Sequence, residues 1–259
     1  MTYKVYIFFI AGLVSLVGCA KDRSLSPPPD TEYITVTVKV PDELTAESMK
    51  MLYRSSICKF ITYDSRGQKV ELDGYKKMDM QPLRRGQSDL YEAKLPVDGG
   101  GACGWRLSNV TFGVVYGNPA RFGINAVTGG GGGGGVVVIF DDHDSPRGGA
   151  DVEVDGDLTV TKDYYPWVKE NFLDGYSKIV SLAGEGYIYA MYKARTARQV
   201  YFEPIFHKNF ALYSTGPKVK KEGSYRSYTY PDGSVYADGR SHPNFLRLQT
   251  IRLKAEGKQ

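Results

Sequence analysis

The side chains able to hold a metal, attack a carbonyl or carry a proton near neutral pH are few: Cys19, Cys58 and Cys103, with His143, His207 and His242. No C-x-x-C pair and no cysteine–histidine cluster is present, so neither a zinc site nor a dithiol redox centre is spelled out. The chain also lacks the G-x-S-x-G nucleophile elbow and the H-E-x-x-H metalloprotease helix. His207, in Phe206-His207-Lys208, reads as a strand-edge residue. Acids crowd one stretch, with Asp141, Asp142 and Asp144 followed by Asp151, Glu153, Asp155 and Asp157, and Arg147 the only Lys or Arg among them. Asp151 to Gly156 has a faint likeness to a calcium loop, but Lys162 stands where that loop needs a bidentate Glu. Acids alternating with Val mark a solvated strand face instead. The expectation is a chain that is not an enzyme and takes no metal and no cofactor.

What remains suits binding. Gly129 to Gly135 is an unbroken glycine run that leads into Val136-Val137-Val138-Ile139-Phe140. A phosphate loop needs a Lys and a hydroxyl after its glycines, and a dinucleotide fold needs a helix there; neither follows. The run, with Gly129, Gly132 and Gly135 marking its length, predicts a surface loop that moulds onto a partner. Asp141, Asp142 and Asp144 would give a negative patch beside it. Lys218, Lys220 and Lys221 precede Tyr225, Arg226, Tyr228 and Tyr230, a basic stretch interleaved with aromatics, and Tyr230-Pro231-Asp232-Gly233 is a turn, so a solvated hairpin is expected. Thirty-three basic against 29 acidic side chains leave a net charge of only +4, so a nucleic-acid partner is not implied.

These segments need a scaffold, and the periodicity of the chain supplies one. Tyr33 to Val40 alternates, with Ile34, Val36, Val38 and Val40 on one side, until Pro41 ends it. Further strands are predicted at Met51 to Tyr63, Lys69 to Leu72, Asp89 to Leu95, Trp105 to Tyr116, Val136 to Phe140, Val152 to Thr161, Ile179 to Leu182, Tyr187 to Lys193, Gln199 to Ile205, Ala211 to Ser214, Tyr225 to Tyr230 and Leu246 to Leu253. About twelve short strands separated by turn signals indicate a mainly β chain with a β-sandwich-like body. One short helix is expected near 163–174, where Pro166 sits early and Gly175 stands at the C-cap position. That stretch, 162–176, is also the best candidate junction should the body at 31–259 divide into subdomains.

The first segment bears on compartment. Residues 1–18 carry Lys4 and then about fourteen uncharged, largely apolar residues, the layout of a signal peptide. Leu16-Val17-Gly18-Cys19 resembles the lipobox of bacterial lipoproteins, in which the cysteine thiol is acylated. Residues 19–30, rich in Ser and Pro, then read as a short tether. Ala20, rather than Asp, after the cysteine favours the outer membrane by the same resemblance, with the body in the periplasm. In that oxidising compartment Cys58 and Cys103 form an even pair, and a disulfide between them would close a loop of about 46 residues.

Four phrases together carry a wider resemblance: Tyr53-Arg54-Ser55-Ser56-Ile57-Cys58; Asp98 to Gly113, containing Cys103-Gly104-Trp105; Lys162-Asp163-Tyr164-Tyr165-Pro166-Trp167; and Asp238-Gly239-Arg240-Ser241. They resemble enterobacterial lipoproteins found with type VI secretion genes, the immunity proteins that guard a cell against phospholipase effectors. The resemblance implies an outer-membrane lipoprotein that captures a cognate phospholipase-like toxin in the periplasm and holds the bilayer through acylated Cys19. Under that reading the glycine run, the acids at 141–144 and the hairpin from Lys218 to Tyr230 are the candidate contacts. A structural lipoprotein of the envelope and a glycan- or lipid-binding β-module remain the alternatives, the second because twenty tyrosines could line a concave face.

Overall fold

Alternation decides the first strand: Ile34, Val36 and Val38 are buried while the residues between them reach toward solvent. The protein is represented by a computed structural model that describes residues 22–129, 135–185 and 189–258. The segment 1–18, Cys19 and Gly132 lie outside the described residues. The first half of the chain forms β1 (Tyr33–Lys39), β2 (Leu44–Ala46), β3 (Met49–Tyr63), β4 (Lys69–Met80), β5 (Leu83–Arg84), β6 (Leu90–Pro96), β7 (Asp98–Gly100), β8 (Trp105–Tyr116), β9 (Ala126–Thr128) and β10 (Gly135–Ile139). The second half forms β11 (Val152–Glu153), β12 (Leu158–Asn171), β13 (Ser177–Gly184), β14 (Tyr189–Lys193), β15 (Gln199–Phe206), β16 (Leu212–Thr215), β17 (Ser227–Thr229), β18 (Val235–Tyr236) and one helix, α1 (Phe245–Ala255).

The strands make two mixed sheets that pack as a sandwich. One runs β18-β17-β16-β12-β15-β1-β6-β5, with β13 on β12 and β9 on β13; the other runs β11-β14-β10-β8-β3-β4, with β2 and β7 on β8. The halves of the chain interleave: β1 lies parallel to β15 with Val36 opposite Val200, and β10 lies parallel to β14 with Val137 opposite Met191. Ile34, Val36, Val38, Met51, Tyr53, Val110, Phe112, Val200 and Phe202 belong to one buried cluster between the sheets. The rings of Phe112 and Phe202 meet edge-on at 5.9 Å across it.

The expected helix near 163–174 is corrected to strand. Asp163 to Asn171 completes β12, and its side chains alternate: Leu158, Val160, Tyr164 and Val168 join the sandwich core, while Tyr165 and Trp167 join a second cluster. A two-turn helix could bury one stripe of this sequence, whereas a strand with both faces covered buries all of it. Pro166, which cannot donate to a ladder, falls at the changeover where the parallel partner of β12 passes from β15, ending at Tyr164, to β16, starting at Trp167.

The true helix lies where a strand was expected, at Leu246 to Leu253. Phe245, Leu248 and Ile251 are spaced for one helical face, which covers Tyr165, Trp167, Tyr228 and Tyr230. Asn244 caps it, its Oδ1 accepting from the Arg247 amide at 3.2 Å. The apparent alternation of Leu246 and Leu248 misleads, since Leu246 is exposed. The stretch expected as a tether also carries structure: the Ser26 amide donates to the Gly99 carbonyl, and Leu25 packs on the core.

Candidate partner-binding surface

The three segments singled out from the sequence do not converge. Gly135 begins β10 and the acids at 141–144 follow its far end, in the eight-stranded sheet, while the basic stretch joins β16 to β17 in the other sheet. Gly129 and Gly135 are fitted into the fold. The Gly129 amide donates to the Val180 carbonyl, and a Cβ there would strike Ser181 and Ile179; a Cβ at Gly135 would strike the Tyr189 ring.

The acids are largely engaged in local bonds. Asp141 holds both the amide and the ring of His143, Asp142 pairs with Arg195 at 2.7 Å, and the carbonyl of exposed Asp144 accepts from Arg54. Further on, Asp151 accepts from the Met191 amide, Asp155 from the Thr196 hydroxyl, and Asp157 from the amides of Arg198 and Gln199. Those two amide bonds hold the Asp157 carboxyl below the usual carboxylate range. Among the described residues no group of three or more His, Cys, Asp or Glu is placed to hold a metal ion.

The basic segment behaves differently. Lys218, Lys220 and Lys221 are exposed on the loop that links β16 and β17. Tyr228 and Tyr230 are only 2% and 5% exposed and sit under α1, which corrects their placing on a solvated hairpin. The Tyr228 hydroxyl donates to the Arg240 carbonyl, and burial pushes its pKa up to about 12. The turn at Tyr230-Pro231-Asp232-Gly233 pointed to a solvated hairpin, but the C-terminal helix covers these two rings.

Two loops meet where the lysines are. The Arg226 guanidinium donates to the Glu170 carbonyl, to Ser214 Oγ and to Asn171 Oδ1, fixing the β16–β17 loop to the end of β12. The Gly216 amide reaches the same Glu170 carbonyl at 2.8 Å. Lys218 Nζ lies 5.6 Å from the centre of the Phe172 ring, and Phe172 packs on Tyr176 within the β12–β13 turn. The Tyr176 hydroxyl donates to Glu170, which also pairs with Lys178. A shallow hollow of about 340 Å³ results, lined by Phe172, Tyr176, Pro217 and Arg226 among others. Leu173 and Tyr176 stand exposed there, and Val219 and Tyr225 are exposed on the β16–β17 loop. Lys218 and Arg226 stand at this hollow together with Asp174, so its charge is mixed.

Leu173 and Tyr176 were missed in the sequence because a helix was expected there; the Asp174-Gly175 dipeptide, with Gly175 at φ 93°, was the available turn signal. His207 is tied into the fold. His207 Nε2 lies 2.5 Å from Asp163 and stacks on Tyr165, while Gln249 and Arg252 of α1 reach Asp163 and Tyr165 from above. This network docks the helix on the sheet. Ser56 and Lys59 have the S-x-x-K spacing of serine–lysine enzymes, which brings the pair together on a helix; on β3 both are exposed along a strand. Cys58 and Cys103 are joined in a disulfide with their Cα atoms 5.2 Å apart.

Set against protein-family models, curated proteins and solved structures, the chain matches none of them.

Proposed function

We propose that this chain is a periplasmic immunity lipoprotein, held to the outer membrane through acylated Cys19, that neutralises a phospholipase effector of type VI secretion by stoichiometric capture. The observation that carries the reading is the two-loop surface at the end of β12, where exposed Leu173 and Tyr176 lie on the turn that Lys218 contacts at Phe172, with Lys220 and Lys221 exposed on the same loop as Lys218. Capture requires a complementary surface and no catalytic residues, and the rigid anchoring of both loops by Arg226 lowers the ordering cost of binding. The disulfide suits an oxidising compartment.

The test is purification of the full chain with the phospholipase-like protein encoded beside it, with phospholipid hydrolysis followed as the chain is added. Hydrolysis falling to zero near one equivalent supports the proposal. An active toxin with no complex overturns it and leaves a structural lipoprotein of the envelope in front. Reversing Lys218, Lys220 and Lys221 to Glu is expected to slow association on the order of tenfold or more at low salt. Leu173→Ala with Tyr176→Ala is expected to speed dissociation, each by about tenfold.

A further inference from the structure

A second feature lies at the other sheet. β3 pairs with β8 only as far as Arg54 opposite Arg106, but its pairing with β4 continues to Tyr63 opposite Lys69. Beyond Ser55 the two strands therefore leave the sheet as a ribbon. Its root is fastened by the Cys58–Cys103 disulfide and by Ser55, whose hydroxyl donates to the Cys103 carbonyl at 2.5 Å and accepts from the Ile57 and Cys58 amides. From Cys58 to Tyr63 the ribbon extends about 16 Å at ~3.3 Å per residue.

The ribbon displays apolar side chains that a solvated hairpin does not need. Ile57 is 61% exposed, Ile61 54% and Tyr63 68%, and Leu72 and Tyr75 are also exposed. Charges of both signs stand among them, Lys59, Arg66 and Lys69 with Asp64, Glu71 and Asp73, and the excess of cations lies at the base, in Lys76 and Lys77. Lys side chains can keep their stems along an apolar boundary while the amines remain in water. Tyr suits the same boundary, having an apolar ring and a polar tip.

The N-terminal segment bears on what faces this ribbon. The Arg23 carbonyl accepts from Lys76 Nζ at 2.7 Å and from Trp105 Nε1 at 3.2 Å, so the chain reaches the body at the ribbon's base. Arg23, Phe60, Tyr75 and Trp105 line one hollow there. Cys19 precedes Asp22 by three residues, which span at most about 11 Å. A bilayer holding an acyl group on Cys19 is then within the ribbon's reach.

We infer that the β3–β4 ribbon, through Ile57, Ile61, Tyr63 and the adjacent lysines, rests on the surface of the lipid bilayer that anchors the chain. The inference rests on the anchoring proposed above. Two contacts, one covalent and one through the ribbon, would orient the body and fix which of its loops faces an incoming toxin.

The experiment uses the full chain purified from bacterial membranes and reconstituted in phosphatidylethanolamine–phosphatidylglycerol vesicles containing brominated lipid. Fluorescence is recorded for Ile61→Trp and, as control, for Ile124→Trp, a fully exposed site beside β9. Mass spectrometry of the intact chain reports acylation of Cys19, and titration of free thiols confirms that the disulfide has formed. Quenching at position 61, with at least about a tenfold smaller effect at 124, supports the inference. An acylated chain unquenched at 61 overturns it and leaves the anchor standing. Quenching at 61 without acylation supports the ribbon contact and overturns the anchor, and an unacylated, unquenched chain overturns both. A blue shift at 61 that grows with protein concentration in the absence of lipid assigns the ribbon to a second copy of the chain and overturns the lipid contact.

Discussion

Lys162 occupies a position on β12 that the strand reserves for core residues, between Val160 and Tyr164, and it is buried. Its amine donates to the Glu185 carbonyl at 2.7 Å. Burial holds its pKa below the ordinary lysine value of 10.5, although Glu185 and Asp151 act in the opposite sense. The folded chain therefore gives up this proton at a lower pH than the unfolded chain does. Between the two pKa values the unfolded state binds more protons, so this group makes stability rise with pH up to 10.5. Lys162→Met keeps the length of the side chain and removes the charge. Urea unfolding near neutral pH and near pH 10 is expected to show the wild type gaining more stability between the two than the variant. Equal gains would place the amine in solvent.

At the scale of elements, the disulfide and the helix each hold a part that could not stay in place alone. A two-stranded ribbon is marginal by itself, and the Cys58–Cys103 bond ties its root to the loop before β8. Cys58→Ser with Cys103→Ser is expected to cost on the order of 4 kcal/mol, because the bond closes a loop across a sequence separation of 45. Denaturant unfolding of the wild type with and without reductant gives the same comparison, and matching midpoints would refute it. For α1, Leu248 is fully buried among Tyr165, Trp167 and Leu212. Leu248→Ala is expected to destabilise by about 2–4 kcal/mol and to raise binding of an apolar dye as the helix loosens. An unchanged midpoint would mean that the His207–Asp163–Arg252 network alone seats the helix.

Across the whole molecule the tyrosines set an alkaline limit. Tyr53, Tyr116, Tyr164 and Tyr228 are buried, and desolvation raises each hydroxyl pKa above the ordinary value of 10.0. Above pH 10.0 these groups ionise first in the unfolded chain, so stability falls as pH rises, by up to about 1.4 kcal/mol per pH unit for each. The gain from Lys162 is thus overtaken above that pH. Tyrosinate absorbance and circular dichroism, followed together through an alkaline titration, are expected to change in one cooperative step. Tyrosine ionisation that precedes loss of structure would show these hydroxyls to be open to water.

What the sequence determined by itself is local. Alternation in β1 and the turn at Asp64-Ser65-Arg66-Gly67 between β3 and β4 were legible because a strand's two faces differ in polarity and turn residues advertise their backbone angles. The mainly β class followed from many such short signals, and the pairing of Cys58 with Cys103 from there being two cysteines beyond Cys19. Position in three dimensions was not legible. Whether Tyr164-Tyr165-Pro166-Trp167 is helix or strand depends on having cover on both faces, and that cover comes from the opposite sheet and from α1, at the far end of the chain. The same helix removes Tyr228 and Tyr230 from the surface. Only the tertiary structure could bring Leu173 and Tyr176 beside Lys218, since the loops that carry them meet through hydrogen bonds between Arg226 and the end of β12. Period and turn chemistry act within a few residues, whereas burial is decided by partners dozens of residues away.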